Sequence, residues 1–286
     1  MALTPARVGM AYRPALASWV GSRPTGVECL EVAAEGFYKA GEKLLRHLAE
    51  RFPLLVHSSS LSLGTPGPIA PQELSCLAAV VAVADPLWVS DHLAFSRTAE
   101  VDLGWPVPVV PGPDSLAVLV EHARAIQERL GRPFLVENIA HFLTFGVHSE
   151  VELLNALSRD AGSGILLDLT ALVVNARNHG SDPRHWLSEL ALEHVVQLHV
   201  GGCSLEGERW HDSHRSPVAD EVLELAAEVL RTAPVRAVIL EYDGRYPPRA
   251  RLEAELDRLK ALAAAAASGA DAAGGRAAVH EPRRHA

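Results

Sequence analysis

Residues 164–180 read GILLDLTALVVNARNHG. Ile165, Leu166 and Leu167 form a continuous apolar run, as expected of a strand covered on both faces. The run stops at Asp168, and Asn175, Asn178 and His179 follow. A carboxylate at the tip of an apolar strand is costly to bury unless it is paired or bound to a metal. The same transition recurs along the chain. LLVH ends in His57, LWVSDH in Asp91 and His92, FLVEN in Glu137 and Asn138, VVQLH in His199, and AVILEYD in Glu241 and Asp243. Apolar strands that each end in a histidine or an acid predict one polar, metal-filled site at one end of a barrel.

The rest of the chain alternates around that pattern. Strands are predicted over 8–12, 28–33, 54–59, 87–92, 133–138, 164–168, 193–200 and 235–242. Helices are predicted over 37–52, 71–84, 115–131 with Gly131 as stop signal, 150–160, 181–191 capped by Ser181 or Asp182, 218–231 and 248–267. The Pro- and Gly-rich stretch 94–114, the residues after Asp168 and the stretch 201–217 read as loops. The most economical arrangement is an α/β fold, a single (β/α)8 TIM barrel over residues 1–267. Residues 268–286 form an Ala/Gly-rich, basic tail read as disordered. In such a barrel the strand tips gather at the C-terminal face, where active sites of this fold lie. An open, doubly wound sheet would spread them along a line instead.

The totals agree. The length of 286 residues suits one such barrel. A net charge of −9 without a basic stripe argues against nucleic acid and anionic membranes as partners. Cys29, Cys76 and Cys203 form no CxxC pair, which disfavours a disulfide framework or thiolate zinc site and suits a reducing cytoplasm. The N-terminus carries Arg7 and Arg13 without a signal-peptide core. No apolar run approaches the roughly 20 residues of a membrane span. Phosphate-loop, dinucleotide and GxSxG signatures are absent.

His57, His92, Glu137, Asp168, His199 and Glu241 come from different strands. The motif HDSH adds Asp212 and His214, and the stretch after Asp168 adds His179. Imidazole with carboxylate suits iron, manganese or zinc. The set exceeds the roughly four to six ligands of one first-row ion. It therefore predicts two or three ions, with Glu137 and Glu241 as bridging carboxylates. His92, Glu137, Asp168 and Glu241 are the residues assigned to catalysis. Each has a bland reading. A single histidine at a strand end is usually a hydrogen-bond partner, and Asp168 alone can cap the next helix. Asn138, Asn175 and Asn178 either orient ligands or cap turns. His185 and His194 read as hydrogen-bonded structural histidines, and His47, His122 and His148 as ordinary helix or loop residues. His141 reads as a supporting residue beside a strand end, and His280 and His285 belong to the tail. Glu31 and Glu35 lie near the end of strand 28–33.

The pieces GMAYRP, LEVAAEGFY, VHSSSLSLG, VSDHLAFS, LVENIAHFL, LLDLTALVVNARNHG, LHVGG, HDSHRSPV and LEYD occur in that order over residues 8–245. Together they resemble the multinuclear non-heme iron-dependent oxidative enzymes, a family long without assigned function. It includes the methanobactin oxazolone-forming enzyme and the 3-thiaglutamate pathway enzyme. The resemblance implies a TIM barrel holding two or three irons (Fe) and O2-dependent oxidation of a cysteine or another residue of a ribosomally made precursor peptide. It also implies a small partner protein that recognises the peptide leader. His57, His92, Glu137, Asp168, His199, Asp212, His214 and Glu241 match family positions. Arg13 and Glu35 are placed near the mouth as peptide-binding residues. The family often has DVNN where this chain has DLTA, so Thr170 stands in place of an asparagine expected near a third iron. Two alternatives remain from the residues alone. One is a divalent-metal isomerase or endonuclease of the xylose-isomerase-like kind. The other is a non-catalytic barrel that binds a peptide or partner and keeps metal for shape.

Overall fold

The computed structural model describes residues 5–98, 100–143 and 149–274, with side chains as far as 269. The strands are β1 (Arg7–Ala11), β2 (Cys29–Ala33), β3 (Leu54–His57), β4 (Val89–His92), β5 (Ala94–Arg97), β6 (Asp102–Pro108), β7 (Phe134–Glu137), β8 (Gly164–Asp168), β9 (Val195–Val200), β10 (Cys203–Glu206), β11 (Arg209–Asp212) and β12 (Ala237–Leu240). The helices are α1 (Ala17–Gly21), α2 (Glu42–Ala49), α3 (Pro71–Ala84), α4 (Pro113–Leu130), α5 (Glu150–Ala161), α6 (Leu169–His179), α7 (Pro183–Glu189), α8 (Asp220–Thr232) and α9 (Arg249–Gly274). The strand order β1-β12-β9-β8-β7-β4-β3-β2 closes on itself as a parallel barrel. This is the expected (β/α)8 fold. No helix among the described residues is long and apolar enough to cross a membrane.

The pleat explains why the polar tips meet. Strand side chains alternate faces, so the residue two beyond an inward apolar residue also points inward. Cys29, Leu55, Leu135, Leu166 and Ile239 pack together inside the barrel. Two residues on from each stand Glu31, His57, Glu137, Asp168 and Glu241. Outward neighbours such as Val56, Val136, Leu167, Leu198 and Val238 belong to the larger core under the helices. Register holds the tips level, since His92 pairs with Glu137 across β4–β7 and Asp168 with His199 across β8–β9. The interior is thus an apolar plug capped by a polar layer.

Gly9 keeps the first strands close. A Cβ there would overlap the carbonyl oxygen and sulfur of Cys29. Gly9→Ala should therefore cost about 1–3 kcal/mol of stability, as overpacking does, read as a lowered urea midpoint. An unchanged midpoint would contradict that packing.

Five segments differ from the sequence expectation. The stretch 94–114 contains the antiparallel hairpin β5–β6, and 201–217 contains β10–β11. Pro106 and Pro108 made β6 read as a loop. In a two-stranded ribbon, however, one edge needs no backbone donor. The residues after Asp168 form α6, because Asp168 caps it. Its side chain accepts from the Thr170 and Ala171 N–H groups at 2.7 and 2.9 Å. Asn175 and Asn178 do not compete with that helix, since their amides bind Ile139 and His141 in one case and Trp210 in the other. The helix predicted over 37–52 shortens to α2, behind a 3-10 turn at Ala34–Phe37. Of the tail read as disordered from 268, residues 268–274 continue α9 and 275–286 lie outside the described residues. His280 and His285 fall there, and His148 also lies outside the described residues.

Candidate metal centre

The polar layer floors a cavity of about 490 Å3 at the C-terminal mouth. His57 and His92 bring their Nε2 atoms to 3.3 Å, and Glu137 Oε2 lies 3.5 Å from each. A point equidistant from those three atoms lies about 2.0 Å from each, the length of a bond from a first-row ion to imidazole or carboxylate. Glu137 Oε2 is buried and lacks a hydrogen-bond partner among the described residues. An orphan buried carboxylate oxygen is costly, and a shared cation removes that cost.

The second group centres on His199. Its Nδ1 lies 2.9 Å from Glu137 Oε1 and 3.1 Å from Glu241 Oε2. The third joins His214 to Asp168 and Glu241. His214 Nε2 stands 3.9 Å from Asp168 Oδ2 and 2.7 Å from Asp212 Oδ1, and His214 Nδ1 lies 3.6 Å from Glu241 Oε2. His214 Nε2 and Asp212 Oδ1 approach closely yet are not aligned as a hydrogen bond. That geometry suits two donors aimed at a third body. His57–His92–Glu137, Glu137–Asp168–His199 and Asp168–His214–Glu241 each gather donor atoms tightly enough to hold an ion, and so does Glu31–His199–Glu241. Glu137 and Glu241 each belong to more than one group, the arrangement a bridging carboxylate needs.

Local structure builds these positions. Asp168 uses Oδ1 to cap α6 and leaves Oδ2 toward His214. The cap thus occupies one carboxylate oxygen and leaves the other facing the cluster. Asn138 clamps the Asp168 backbone, donating to its carbonyl and accepting from its N–H. His214 sits at φ +49°, a left-handed conformation that favours glycine and is held here by its surroundings. A side chain at Gly201 would overlap the His214 ring, and one at Gly202 would overlap the Ser216 backbone. The GG of LHVGG thus lets HDSH lie against the end of β9. Thr170 engages Gly201, accepting from its N–H at 2.8 Å and donating to its carbonyl at 3.2 Å. It ties α6 to β9.

The protonation states fit a cation-binding cluster. Burial holds the His92 imidazole down at about 4. Burial would raise Glu137, but His199 and His57 pull it to about 2. Burial and the Asp212 carboxylate push Asp168 well up. Against burial, Glu241 and Glu31 raise His199, and Asp212 and Glu241 raise His214. Protons on His199 and His214 therefore neutralise the carboxylates when no cation does, and a bound metal would displace them. Metal affinity should weaken as pH falls, because those raised imidazoles hold their protons more fully. Competition titrations at pH 8 and pH 6 should show at least about a tenfold loss at the lower pH, and equal affinities would contradict this.

The remaining expected residues divide. Arg13 lines the cavity, but its guanidinium donates to Asp243 Oδ1 at 2.7 Å and Glu241 Oε1 at 3.4 Å. Glu35 accepts from Ser58 Oγ and the Ser59 N–H, fixing the turn after β3. His179 is not brought to the ring. Helix α6 carries it about 16 Å along its axis from Asp168, and its Nε2 donates to the His141 carbonyl. The residues that sequence reasoning left out of the donor set are Glu31 and Gln197, both buried beside His199. The signal for Gln197 was a polar residue inside the apolar run VVQLH. Beside the donors the cavity is also lined by the apolar side chains of Trp105, Val107, Ile139, Phe142 and Trp210.

A family model described as "RiPP precursor modification enzyme MbnB/TglH/ChrH" matches residues 7–264. A UPF0276 protein of Anaeromyxobacter sp. (strain Fw109-5) is 34% identical, covering 84% of this chain and 87% of the relative. A UPF0276 protein of Caulobacter vibrioides is 33% identical over 93% of this chain and 97% of its own. Among solved structures, endonuclease IV from Thermus thermophilus superposes with a TM-score of 0.58 at 18% identity, covering 90% of this chain and 98% of that one. A xylose isomerase-like TIM barrel protein from Mycobacterium smegmatis, in complex with magnesium, gives 0.57 at 12% identity, covering 93% and 97%. These last two likenesses concern the fold.

Proposed function

The chain belongs to the MbnB/TglH/ChrH family of RiPP precursor modification enzymes, and from that premise we propose that it is an iron-dependent oxidase. It uses O2 to modify a residue, first of all cysteine, of a ribosomally synthesised precursor peptide. The observation that carries the reading is the orphaned Glu137 oxygen facing the His57 and His92 nitrogens at bonding geometry for a shared ion. The absence of a thiolate among these donors suits a redox-active, oxygen- and nitrogen-ligated iron.

In this reading His57, His92 and Glu137 hold one iron. His199, Glu137 and Glu241 hold a second, and Asp168, Asp212 and His214 extend the set toward a third. Bound iron would supply the redox couple and open positions for substrate and O2. The chain's own residues do the rest. Glu137 and Glu241 fix the spacing between donor groups. Arg13, held by Glu241 and Asp243, keeps a positive charge at the rim and steadies both carboxylates. Trp105, Ile139, Phe142 and Trp210 line the approach and shed water as a peptide side chain enters. The catalytic unit lies within residues 1–267 and works in the cytoplasm with a small leader-binding partner. Only Arg13 of the two peptide-binding candidates faces the cavity.

The test is anaerobic purification followed by iron quantification, an absorption spectrum, and O2 uptake with a cysteine-containing precursor peptide. Two or three irons per chain, a band that changes with oxygen, and uptake coupled to peptide oxidation are expected. A colourless, magnesium-dependent protein would favour the xylose-isomerase-like alternative, and iron without turnover would favour a binding role.

A further inference from the structure

Beneath the donor cluster, three buried residues that the metal reading does not use, Trp88, Gln197 and Glu31, lead up to the ligand His199. Trp88, Gln197, Glu31 and His199 are 1%, 0%, 2% and 1% exposed. The Trp88 indole N–H can only donate, and it lies 2.6 Å from Gln197 Oε1. That contact assigns the two ends of the Gln197 amide, which are otherwise easily confused. The amide nitrogen therefore faces Glu31 Oε2 at 2.5 Å and His199 Nε2 at 2.8 Å. Both oxygens of Glu31 lie 3.0 Å from His199 Nε2.

A carboxylate only accepts. Two anionic carboxylate oxygens aimed at one ring nitrogen favour a proton there, and this charge-assisted contact outweighs the neutral Gln197 amide, whose approach to Nε2 at 2.8 Å would alone favour a lone pair. The other ring nitrogen, Nδ1, also faces two carboxylate oxygens, Glu137 Oε1 and Glu241 Oε2, but these are the acids that a cation in the cluster above would share, and such a cation would displace a proton from Nδ1. We propose that Glu31, aligned by Trp88 and Gln197, is a positioning residue that accepts the Nε2 proton of His199 and leaves Nδ1 as the nitrogen offered to a metal. The assignment rests on the reading that the cluster holds metal. It removes Glu31 from the ligand set, although its oxygens lie close enough to join one. A carboxylate behind a histidine in this way fixes the ring and raises its basicity. Gln197 supports Glu31 from the side away from the cleft, and Trp88 keeps Gln197 from turning over.

The probe is Zn2+, a diamagnetic stand-in, added anaerobically to the full-length metal-free chain labelled with 15N-histidine. Zinc per chain is measured at saturation, and long-range 1H–15N spectra identify the protonated and the metal-bound nitrogen of His199. The wild-type ring should carry its proton on Nε2 and zinc on Nδ1. Glu31→Ala should keep the zinc count, weaken one site by about 10–100-fold, and lose the Nε2 proton signal to exchange with water. Glu31→Gln should keep both count and signal, because an amide oxygen still accepts, and it serves as the comparison should Glu31→Ala fold poorly. Loss of one zinc at saturation in Glu31→Gln, or zinc on Nε2 in the wild type, would overturn the assignment. Failure of the metal reading itself would appear separately, as a wild-type chain that takes up no zinc at the cluster.

Discussion

Glu137→Ala should remove more than one ion from the anaerobically purified protein. Glu137 directs Oε2 to the His57–His92 pair and Oε1 to His199. One substitution thus dismantles two donor groups that share no other residue. His57→Ala, which touches a single group, should lose at most one ion and keep the Asp168–His214–Glu241 end loaded. Metal polarisation contributes several kcal/mol to a transition state. Peptide turnover should therefore fall by on the order of 10³-fold or more, since each 1.36 kcal/mol is tenfold. The fold should survive, because Glu137 is a polar tip above the apolar plug and its truncation leaves Leu135 and Leu166 packed. Metal analysis beside a thermal melt checks this. Equal ion loss in Glu137→Ala and His57→Ala would argue against a bridging carboxylate.

The second large effect separates two roles of one residue. Asp168 caps α6 through Oδ1 and faces His214 through Oδ2. Asparagine caps a helix about as well as aspartate. Asp168→Asn should therefore change stability by less than about 1 kcal/mol while abolishing the charge that the metal end requires. Asp168→Ala should lose the cap as well, at about 0.5–2 kcal/mol. Both variants should lose an ion and drop turnover by on the order of 10²-fold or more, through loss of metal-borne charge stabilisation. Measured together, urea melts and metal content distinguish a capping residue from a ligand. If Asp168→Asn kept full metal and activity, Asp168 would be a cap alone.

Much of this was legible in the chain because a buried parallel strand leaves little freedom. An apolar run ending in an acid or histidine fixes which residue points inward, and closure of the barrel brings those residues together. Glu137, Asp168, His199 and Glu241 were readable on that ground. His179 was not, because the Asp168 side chain starts a helix at once and carries the histidine away. The asparagines of α6 gave a loop-like pattern, yet their amides serve other segments' backbones. Glu31 was visible near a strand end, but Val32 and Ala33 follow it, so its inward aim depends on strand register. The β5–β6 hairpin was hidden by Pro106 and Pro108, whose tolerance at a ribbon edge cannot be told from a loop by composition. The resemblance to the iron-dependent family covered the same residues and is matched by the family model over 7–264.

Anomalous diffraction at the iron edge, on crystals grown anaerobically from protein loaded with ferrous iron, bears most directly on the proposed centre. Peaks should lie between His57, His92 and Glu137 and between His199, Glu137 and Glu241, within bonding distance of about 2.0–2.2 Å. Crystals with iron absent from this mouth, and each carboxylate satisfied by its own neighbours, would contradict it.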